Sequence, residues 1–469
     1  MARPISVPPG PRSLIPGRIL ARFGRDRLGF AEEMARRYGD VAYFRDLRAR
    51  FAFLSHPDLV RDVLVTQARH FHKGIGLQRA KLLLGDGLLT SEGAHHLRQR
   101  RMMQPAFHRD RIAAYASVMS EYARRHIARW QPGDTIDVSA EMSALTLAVA
   151  GKTLFDADVA GDTKAIGDAL AEAIASFELA LLPWGEHLVK LPIPAARRFR
   201  HARATLDRVI YRLIADRRAE VAAGARDRGD LLTMLVRARD DVEATAGDAG
   251  GMTDLQLRDE ALTILLAGHE TTANALAWSI YFISQHPEVE RRLHAEVDAV
   301  LSTDDGAPRP AAIGDLARLT YSRMVVSESM RLRPPAFILG RRALAPYAVP
   351  GTPYVIPAGA TIFLSQHVLH RDARFWPDPE RFDPDRWRPE VQADRPKFAY
   401  FPFGAGTRIC IGEQFAWMEL TLVLATIARR WRLRLVPGHP VVPQPVITLR
   451  AKYGVKMVVE ERSGGNHKA

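Results

Sequence analysis

Residues 403–412 read FGAGTRICIG, in which three glycines and an arginine surround Cys410, the one cysteine among 469 residues. Glycines at these positions permit tight turns and a close approach of the backbone to a flat group. Because there is a single cysteine, the chain excludes an internal disulfide, a Cys-ligated iron–sulfur cluster and a Cys-rich zinc site. Cys410 is therefore a nucleophile, the one thiolate ligand of a metal, or an inert buried thiol.

The loop that carries Cys410 leads into a predicted helix that runs from near this residue to about Arg430. Backbone N–H groups at the start of a helix favour a thiolate. A thiolate with no second cysteine nearby suits an axial ligand of iron in a macrocycle, because the ring supplies four ligands itself. Arg408 would meet an anion at the same turn, and Phe403 would pack under the loop.

A long helix is predicted upstream of this loop. Residues 253–256, TDLQ, form a capping box before an apolar periodic run that continues to His286, where Pro287 stops it. Thirty-odd helical residues span about 50 Å, so this helix must cross a whole domain.

Polar residues interrupt the middle of the long helix, where residues 267–272 read AGHETT. Gly268 costs about 1 kcal/mol relative to alanine, which either a close neighbour or a groove for a ligand would explain. The adjacent Glu270 and Thr271 place a carboxylate beside a hydroxyl, a pair that can relay protons. The alternative is an ordinary polar interruption of a long helix.

The rest of the chain indicates a mainly helical protein with short strands and few long loops. Long loops are uncommon in compact chains and are usually functional, so the aperiodic stretch from Arg371 to Gly406 is of interest. Further helices are predicted at 29–38, 58–69, Arg109–Trp130, Ala140–Leu154, Asp162–Leu182, 196–223 and Leu319–Arg333, strands at Val41–Phe44, Phe51–Leu54 and within Tyr347–Phe363, and loops at 240–252 and 302–311.

Composition places the chain among ordinary globular proteins, since 47% of residues are hydrophobic and 25% are charged. That excludes a wholly disordered chain and a collagen-like repeat. The net charge of +13 is compatible with solubility alone, with an acidic protein partner or with nucleic acid. A helical nucleic-acid binder stays an alternative, although the chain has no reading motif or basic–aromatic pattern.

No targeting or membrane segment is expected. The first 20 residues contain five prolines and lack the apolar core of a signal peptide. The longest stretch without Asp, Glu, Lys or Arg, Ala343–His370, contains four prolines and cannot be a membrane helix. We expect a cytoplasmic protein without a transmembrane anchor.

Residues 403–412 resemble the haem-ligand signature of the cytochrome P450 family at Phe403, Gly404, Gly406, Arg408, Cys410 and Gly412. Residues 328–331, ESMR, resemble the Glu-x-x-Arg motif of the family, and residues 379–382, PERF, resemble the loop element whose arginine meets that pair. Such charges require mutual satisfaction when they are buried. The resemblance therefore assigns Glu328, Arg331 and Arg381 a structural role in holding the loop of Cys410.

Further residues take roles that the resemblance implies. Cys410 would ligate the haem iron, and Glu270 and Thr271 would deliver protons. Residues 95–107 resemble the family's Trp-x-x-x-Arg helix, in which Arg100 matches the arginine but His96 replaces the tryptophan. Arg100, Arg341, Arg408 and His96 would hold the propionates, with Phe403 and Gly404 also in the haem-binding set. The substrate pocket would include residues 72–90, 177–193, Leu265, Ala267, Ala336–Leu339 with Phe337 and Ile338, Val446 and Ile447.

The resemblance also implies an architecture and a reaction. The fold would be mainly α with a small β portion and with haem between the long helix and the Cys410 loop. A proline-rich arm, 1–17, would precede one haem domain, 18–460, and a disordered tail, 461–469. This soluble, bacterial-type monomer would use haem b to insert one atom of O2 into a lipophilic substrate such as a fatty acid, terpenoid or steroid. Electrons would pass from NAD(P)H through a reductase and a separate ferredoxin or flavodoxin, which would dock on the basic face near Cys410. The alternatives are a peroxygenase or isomerase of the same fold, and a non-catalytic haem-binding protein.

Overall fold

A computed structural model describes residues 6–156, 163–181, 184–226, 228–238, 251–303 and 307–462 of the chain. Helices dominate this part of the chain and strands are short. The helices are α1 Arg18–Arg25, α2 Arg27–Tyr38, α3 Pro57–Arg61, α4 Ile75–Leu84, α5 Gly93–Met103, α6 Arg109–Ile127, α7 Val138–Phe155, α8 Thr163–Leu181, α9 Gly185–Leu188, α10 Pro194–Ala222, α11 Leu231–Arg237, α12 Asp254–Gln285, α13 Pro287–Val300, α14 Thr320–Leu332, α15 Gln366–Leu369, α16 Pro389–Gln392 and α17 Glu413–Arg430. The strands are β1 Val41–Asp46, β2 Ala49–Leu54, β3 Phe71–Lys73, β4 Thr135–Asp137, β5 Leu339–Ala343, β6 Tyr347–Ala348, β7 Val355–Ile356, β8 Thr361–Leu364, β9 Trp431–Leu435, β10 Pro443–Pro445, β11 Leu449–Ala451 and β12 Lys456–Glu461.

The chain divides into two compact units, which we name by their main elements. The sheet unit contains Met1–Arg79, Met330–Cys410 and Ile447–Leu449, and the helical unit contains Ala80–Ser329, Ile411–Val446 and Arg450–Ala469, each as far as it is described.

The sheet unit is organised by a five-stranded sheet with the order β1-β2-β8-β5-β3. Its pairs are antiparallel except β2 and β8, which run parallel. Side chains alternate between the two faces along β2. Phe51 and Phe53 pack with the aromatic cluster of α2 and β1, whereas Ala52 and Leu54 join a second cluster that includes Ile362. Both faces are therefore buried.

The helical unit is organised around α12, which packs against α7, α10 and α17. The predicted capping box is present, because the Thr253 hydroxyl accepts the Gln256 N–H and the Gln256 side chain accepts the Thr253 N–H. The helix ends at Gln285 as expected, and Pro287 begins α13 rather than a loop. A small sheet with the order β4-β12-β9 completes this unit.

Most predicted elements are present within one or two residues of the expected bounds, among them α7, α8, α10 and α14, whereas α6 ends three residues before the predicted Trp130. One differs more: the helix predicted over 58–69 ends at Arg61, and a π-helical turn, Asp62–Thr66, and a 3-10 turn follow. The predicted loop at 240–252 and tail at 461–469 lie largely outside the described residues. Within the described residues, every helix is too short or too polar to cross a bilayer.

Arg331 on α14 is fully buried and holds together a segment of irregular backbone in the sheet unit. Its guanidinium donates hydrogen bonds to the carbonyls of His370 at 2.9 Å, Pro379 at 2.6 Å and Arg381 at 3.0 Å. The same guanidinium lies 5.1 Å from the ring centroid of Trp376. The carbonyl oxygens stabilise the buried positive charge, and the charge in turn fixes the positions of these carbonyls.

The structure departs from the expected charge cluster at one position. The side chain of Arg381 is exposed, and Arg331 contacts the carbonyl of this residue rather than its guanidinium. The buried arginine of the segment is Arg386, which donates to the carbonyls of Pro377 and, at 2.8 Å, of Asp378. Main-chain carbonyls between His370 and Arg381 thus accept hydrogen bonds from the two buried arginines, Arg331 and Arg386.

Replacement of Arg331 by glutamine is expected to lower the free energy of unfolding by about 3–5 kcal/mol, since it removes a buried charge on which three carbonyls depend. Arg381→Gln is the matched control and should change it by about 0.5 kcal/mol or less, because that side chain is exposed. Urea unfolding followed by circular dichroism measures both. Equal losses in the two variants would contradict this account.

Candidate active site

Cys410 stands at the end of a loop whose backbone is set by glycines. Gly404 and Gly406 adopt positive φ angles of 71° and 68°, and the Cys410 N–H donates to the Phe403 carbonyl at 3.0 Å. A Cβ atom on Gly406 would lie 2.0 Å from the Leu64 carbonyl oxygen, so this position requires glycine. The thiol is exposed, and α17 begins three residues later at Glu413, slightly beyond the predicted start.

His370 forms a hydrogen bond with the backbone that leads into this loop, and the sequence analysis did not identify it. It is fully buried, and its Nε2 atom accepts the Phe401 N–H at 3.0 Å. Burial, reinforced by the positive charge of Arg331, lowers the pKa of His370 well below its usual range. The ring is therefore neutral, as an acceptor nitrogen requires. Arg331 binds the carbonyl of the same residue, which connects α14 to the Cys410 loop.

Two buried cations face each other in the sheet unit. Arg341 on β5 and Lys73 on β3 are register partners, and both are buried. Side chains directly opposite in an antiparallel pair lie close together, and like charges there are destabilising. An anion beside them would be stabilised. Arg408 is half-buried in the 3-10 turn Gly406–Arg408 of the same unit. Lys73 was not identified from the sequence, because nothing in its neighbourhood marks it as buried.

Three small residues of α12 in the helical unit are less buried than their neighbours, and we call them the strip. Between Leu257 and Ile280 the helix is buried at every position except Ala267, Gly268 and Thr271, which are half-buried and share one face. A Cβ on Gly268 would approach its nearest neighbour, Leu154, to only 4.0 Å. No close neighbour within the described residues therefore requires this glycine, which favours the second explanation, a groove.

The polar residues of α12 point in different directions. Thr271 lies on the strip, and its hydroxyl donates to the Ala267 carbonyl at 2.7 Å. His269 faces α7, where its Nε2 is 2.8 Å from the Ser143 hydroxyl, and burial lowers the pKa of His269 to about 4. Glu270 between them is buried. The two residues of the predicted proton pair are adjacent in the chain, with Glu270 buried and Thr271 on the strip.

Glu419 on α17 is a further acidic residue of the helical unit, and the sequence analysis missed it. It is fully buried and contacts Thr272 on α12. Burial raises the pKa of Glu419 well above its usual range, and contact with Thr272 offsets this only in part. Burial therefore favours the protonated, neutral form of Glu419. Its position in an apolar run, nine residues after Cys410, was the available signal.

The helix α5 carries the remaining predicted haem-contact residues. His96 is buried and Arg100, one turn later, is half-buried, so both lie on one face. The helix has the expected position, since α5 spans Gly93–Met103.

The predicted pocket residues differ in burial and in the cluster against which they pack. Leu265 lines a small apolar cavity between α7, α8, α10 and α12. Phe337 and Val446 are buried, and Ile447 is half-buried. Ile338 packs against the aromatic cluster of α2, β1 and β2, a contact that ties it to the core of the sheet unit.

Comparison with known proteins agrees with these features. Residues 8–456 match the family profile described as Cytochrome P450. The chain is 42% identical over 429 residues to cyclooctatin synthase of Streptomyces melanosporofaciens, covering 91% of this chain and 89% of the relative. It is 40% identical to cyclooctat-9-en-7-ol 5-monooxygenase of the same organism over 407 residues, 86% of this chain and 84% of the relative. Pentalenene oxygenase of Streptomyces avermitilis is 33% identical over 87% of this chain and 88% of its own length.

Solved structures support the same fold. The structure described as cytochrome P450DA heme domain superposes with a TM-score of 0.86 at 26% identity and covers 98% of this chain and 99% of that one. Retinoic acid bound cyanobacterial CYP120A1 gives a TM-score of 0.85 at 22% identity, covering 98% of this chain and 100% of that one, and shows the fold alone. The chain belongs to the cytochrome P450 family and is a haem- and O2-dependent monooxygenase of small molecules, as predicted from residues 403–412.

The residues present fit a haem group. The exposed thiol of Cys410 can supply one sulfur ligand to iron. The facing cations Lys73 and Arg341 suit the carboxylates that haem carries. In the helical unit, the strip at Gly268 offers a surface of small side chains to a flat ring.

Glu419→Gln is expected to stabilise the protein at neutral pH and not at low pH. Glutamic acid ionises near pH 4.3 in the unfolded chain, whereas folded Glu419 keeps its proton to a higher pH. The unfolded state therefore loses a proton first, and wild-type stability falls as pH rises above about 4.3. Urea unfolding at several pH values measures this. The free energy of unfolding of the variant should exceed that of wild type above about pH 4.3 and equal it below. The exposed residue Glu390, changed to glutamine, is the control and should show no such divergence.

Proposed function

We propose that this monooxygenase oxidises a cyclic terpenoid, either a hydrocarbon or an alcohol derived from it. The observation that carries this proposal is the similarity, at 42% and 40% identity over most of the chain, to proteins named for cyclooctatin and cyclooctat-9-en-7-ol. Apolar side chains at Leu265, Phe337 and Val446 support a hydrophobic ligand.

In this proposal, Cys410 would supply the sulfur ligand of the haem iron, and Phe403 and Gly404 would contact the ring. Arg341, Lys73 and Arg408 would bind propionate oxygens. His96, by donating a ring N–H, and Arg100 would supply further propionate contacts. Bound haem activates O2 so that one oxygen atom enters the substrate and the other leaves as water.

Protons for this reaction are handled by Glu270 and Thr271. The Thr271 hydroxyl uses its own hydrogen on the Ala267 carbonyl, which fixes Oγ1 in one rotamer with its lone pairs free to accept a hydrogen bond. The buried carboxyl of Glu270 supplies the exchangeable proton beside it. An intact acid–alcohol pair supports O2-dependent chemistry over the peroxygenase or isomerase alternative.

Electrons are supplied by separate redox proteins in this proposal. NAD(P)H reduces a reductase, which passes electrons to a ferredoxin or flavodoxin. Such carriers are acidic, and the net charge of +13 complements them. The enzyme then works in the cytoplasm, where NAD(P)H is regenerated, and acts as a monomer.

The substrate proposal is tested with the haem-loaded protein, a ferredoxin, its reductase and NADPH. Cyclic diterpene and sesquiterpene hydrocarbons and alcohols should shift the haem absorbance and give products one oxygen atom heavier, labelled from 18O2. Linear fatty acids of equal carbon number are the matched control. Turnover confined to the fatty acids would contradict the terpenoid proposal, and full turnover with hydrogen peroxide alone would favour the peroxygenase alternative.

Thr271→Ala is expected to lower the product formed per O2 consumed, because the hydroxyl that positions the proton is lost. General acid–base groups contribute about 10²-fold or more, so product formation should fall by that order while O2 is still consumed. Ser279→Ala, which removes another back-bonded hydroxyl of α12, is the control and should keep the wild-type ratio. Equal coupling in Thr271→Ala and wild type would contradict the role of Thr271.

A further inference from the structure

The last residues of α4 and the start of the loop that follows, residues 82–88, are bound to the first turns of α12 by hydrogen bonds between α12 side chains and the backbone, and we call them the 82–88 loop. Asp259 Oδ2 accepts the Asp86 N–H at 2.7 Å, and Glu260 Oε2 accepts the Leu88 N–H at 2.9 Å. Arg258 Nη2 donates to the Leu83 carbonyl at 2.9 Å. Three consecutive side chains of one helix therefore bind three backbone groups of residues 82–88. We call Arg258, Asp259 and Glu260 the α12 latch.

Glycines allow the loop to lie directly on the helix. A Cβ on Gly85 would lie 2.1 Å from Asp259 Oδ1. A Cβ on Gly87 would lie 2.6 Å from Thr263 Oγ1 and 2.7 Å from the Asp259 carbonyl oxygen. Such distances leave no room for a side chain, so the sequence LLLGDGLL at 82–89 suits this contact.

Burial restricts the three latch side chains to one conformation. Arg258, Asp259 and Glu260 are each less than a tenth exposed. The Arg258 guanidinium also donates to Asp207 on α10 at 2.8 Å and to Asp259 at 2.9 Å. Buried charges with these partners keep one geometry, because any displacement leaves a charge without its acceptor.

A second contact reinforces the same loop from α10. Arg203 Nη1 donates to the Leu82 carbonyl at 2.8 Å, and Arg203 also pairs with Asp207 at 3.6 Å. Asp207 is shared, since it accepts from Arg258 as well. The loop is thus bound to two helices of the helical unit through one charged network.

We propose that the α12 latch is the positioning element that holds the 82–88 loop closed over the ligand, and that it thereby sets how fast bulky ligands enter and leave. This inference rests on the proposed function and on the expectation, implied by the family resemblance, that residues 72–90 line the substrate pocket. Asp259 and Glu260 hold alternate N–H groups of the loop, so opening breaks both bonds together. Neither residue takes part in the chemical step.

The first measurement is hydrogen–deuterium exchange of the peptide that covers residues 82–91 in the haem-loaded protein. Glu260→Ala removes the acceptor of the Leu88 N–H and should speed exchange about tenfold or more, the factor that loss of one buried hydrogen bond implies. Glu260→Gln keeps a carbonyl acceptor and should restore most of the protection. Glu296→Ala is the matched control, since Glu296 accepts the Ser322 N–H at 2.8 Å elsewhere in the unit.

The second measurement is stopped-flow binding of two haem ligands, imidazole and the bulkier 4-phenylimidazole. Glu260→Ala should raise the association and dissociation rate constants of 4-phenylimidazole together, about tenfold, and leave those of imidazole unchanged. Glu296→Ala should alter neither ligand. Gly87→Ala keeps the latch residues but forces the loop away from α12, and it should reproduce the effect if Glu260→Ala fails to bind haem.

Unchanged exchange in Glu260→Ala and Gly87→Ala would overturn the proposal, as would faster exchange with wild-type kinetics for 4-phenylimidazole. An equal effect of Glu296→Ala would mean that the latch contributes only to overall stability, and this too would overturn the proposal. These probes require no terpenoid. Failure of the terpenoid assay with latch-dependent azole kinetics would therefore refute the substrate and leave the latch standing.

Discussion

The buried guanidinium of Arg331 is the interaction on which the sheet unit depends most. It binds the carbonyls of His370, Pro379 and Arg381, in a region where the chain forms almost no regular secondary structure. His370 then accepts the N–H of Phe401, two residues before the Cys410 loop begins. A buried cation thus supplies hydrogen bonds to backbone carbonyls that have no partner strand or helix. The position of the thiol follows from that network.

In the helical unit, the corresponding constraint is the burial of α12. A helix of 32 residues that is buried almost throughout must satisfy its polar side chains within the protein rather than with water. Thr271 and Thr272 do so through carbonyls one turn earlier, and His269 does so through Ser143. The half-buried strip at Ala267, Gly268 and Thr271 is therefore an exception that the packing permits. Thr271, the residue proposed to position a proton, lies at that exception.

Local patterns predicted much of this molecule. The capping box at Thr253, the stop at Pro287 and the glycine-framed Cys410 follow from short-range chemistry, and the structure has them where they were expected. Lys73, His370 and Glu419 could not be predicted in the same way. Their importance comes from burial, which depends on contacts with distant parts of the chain. The sequence analysis assigned Arg381 and did not consider Arg386. Each arginine lies two residues after a proline in a similar four-residue pattern, and only the fold shows which one is buried.

The facing cations Lys73 and Arg341 have a consequence for how the protein matures. Two like charges enclosed on neighbouring strands repel each other. In the proposed haem complex, a dianionic prosthetic group beside them would offset that repulsion, and a group that binds only the folded state shifts the folding equilibrium toward it. The yield of folded enzyme would then follow the porphyrin supply as well as translation of the chain.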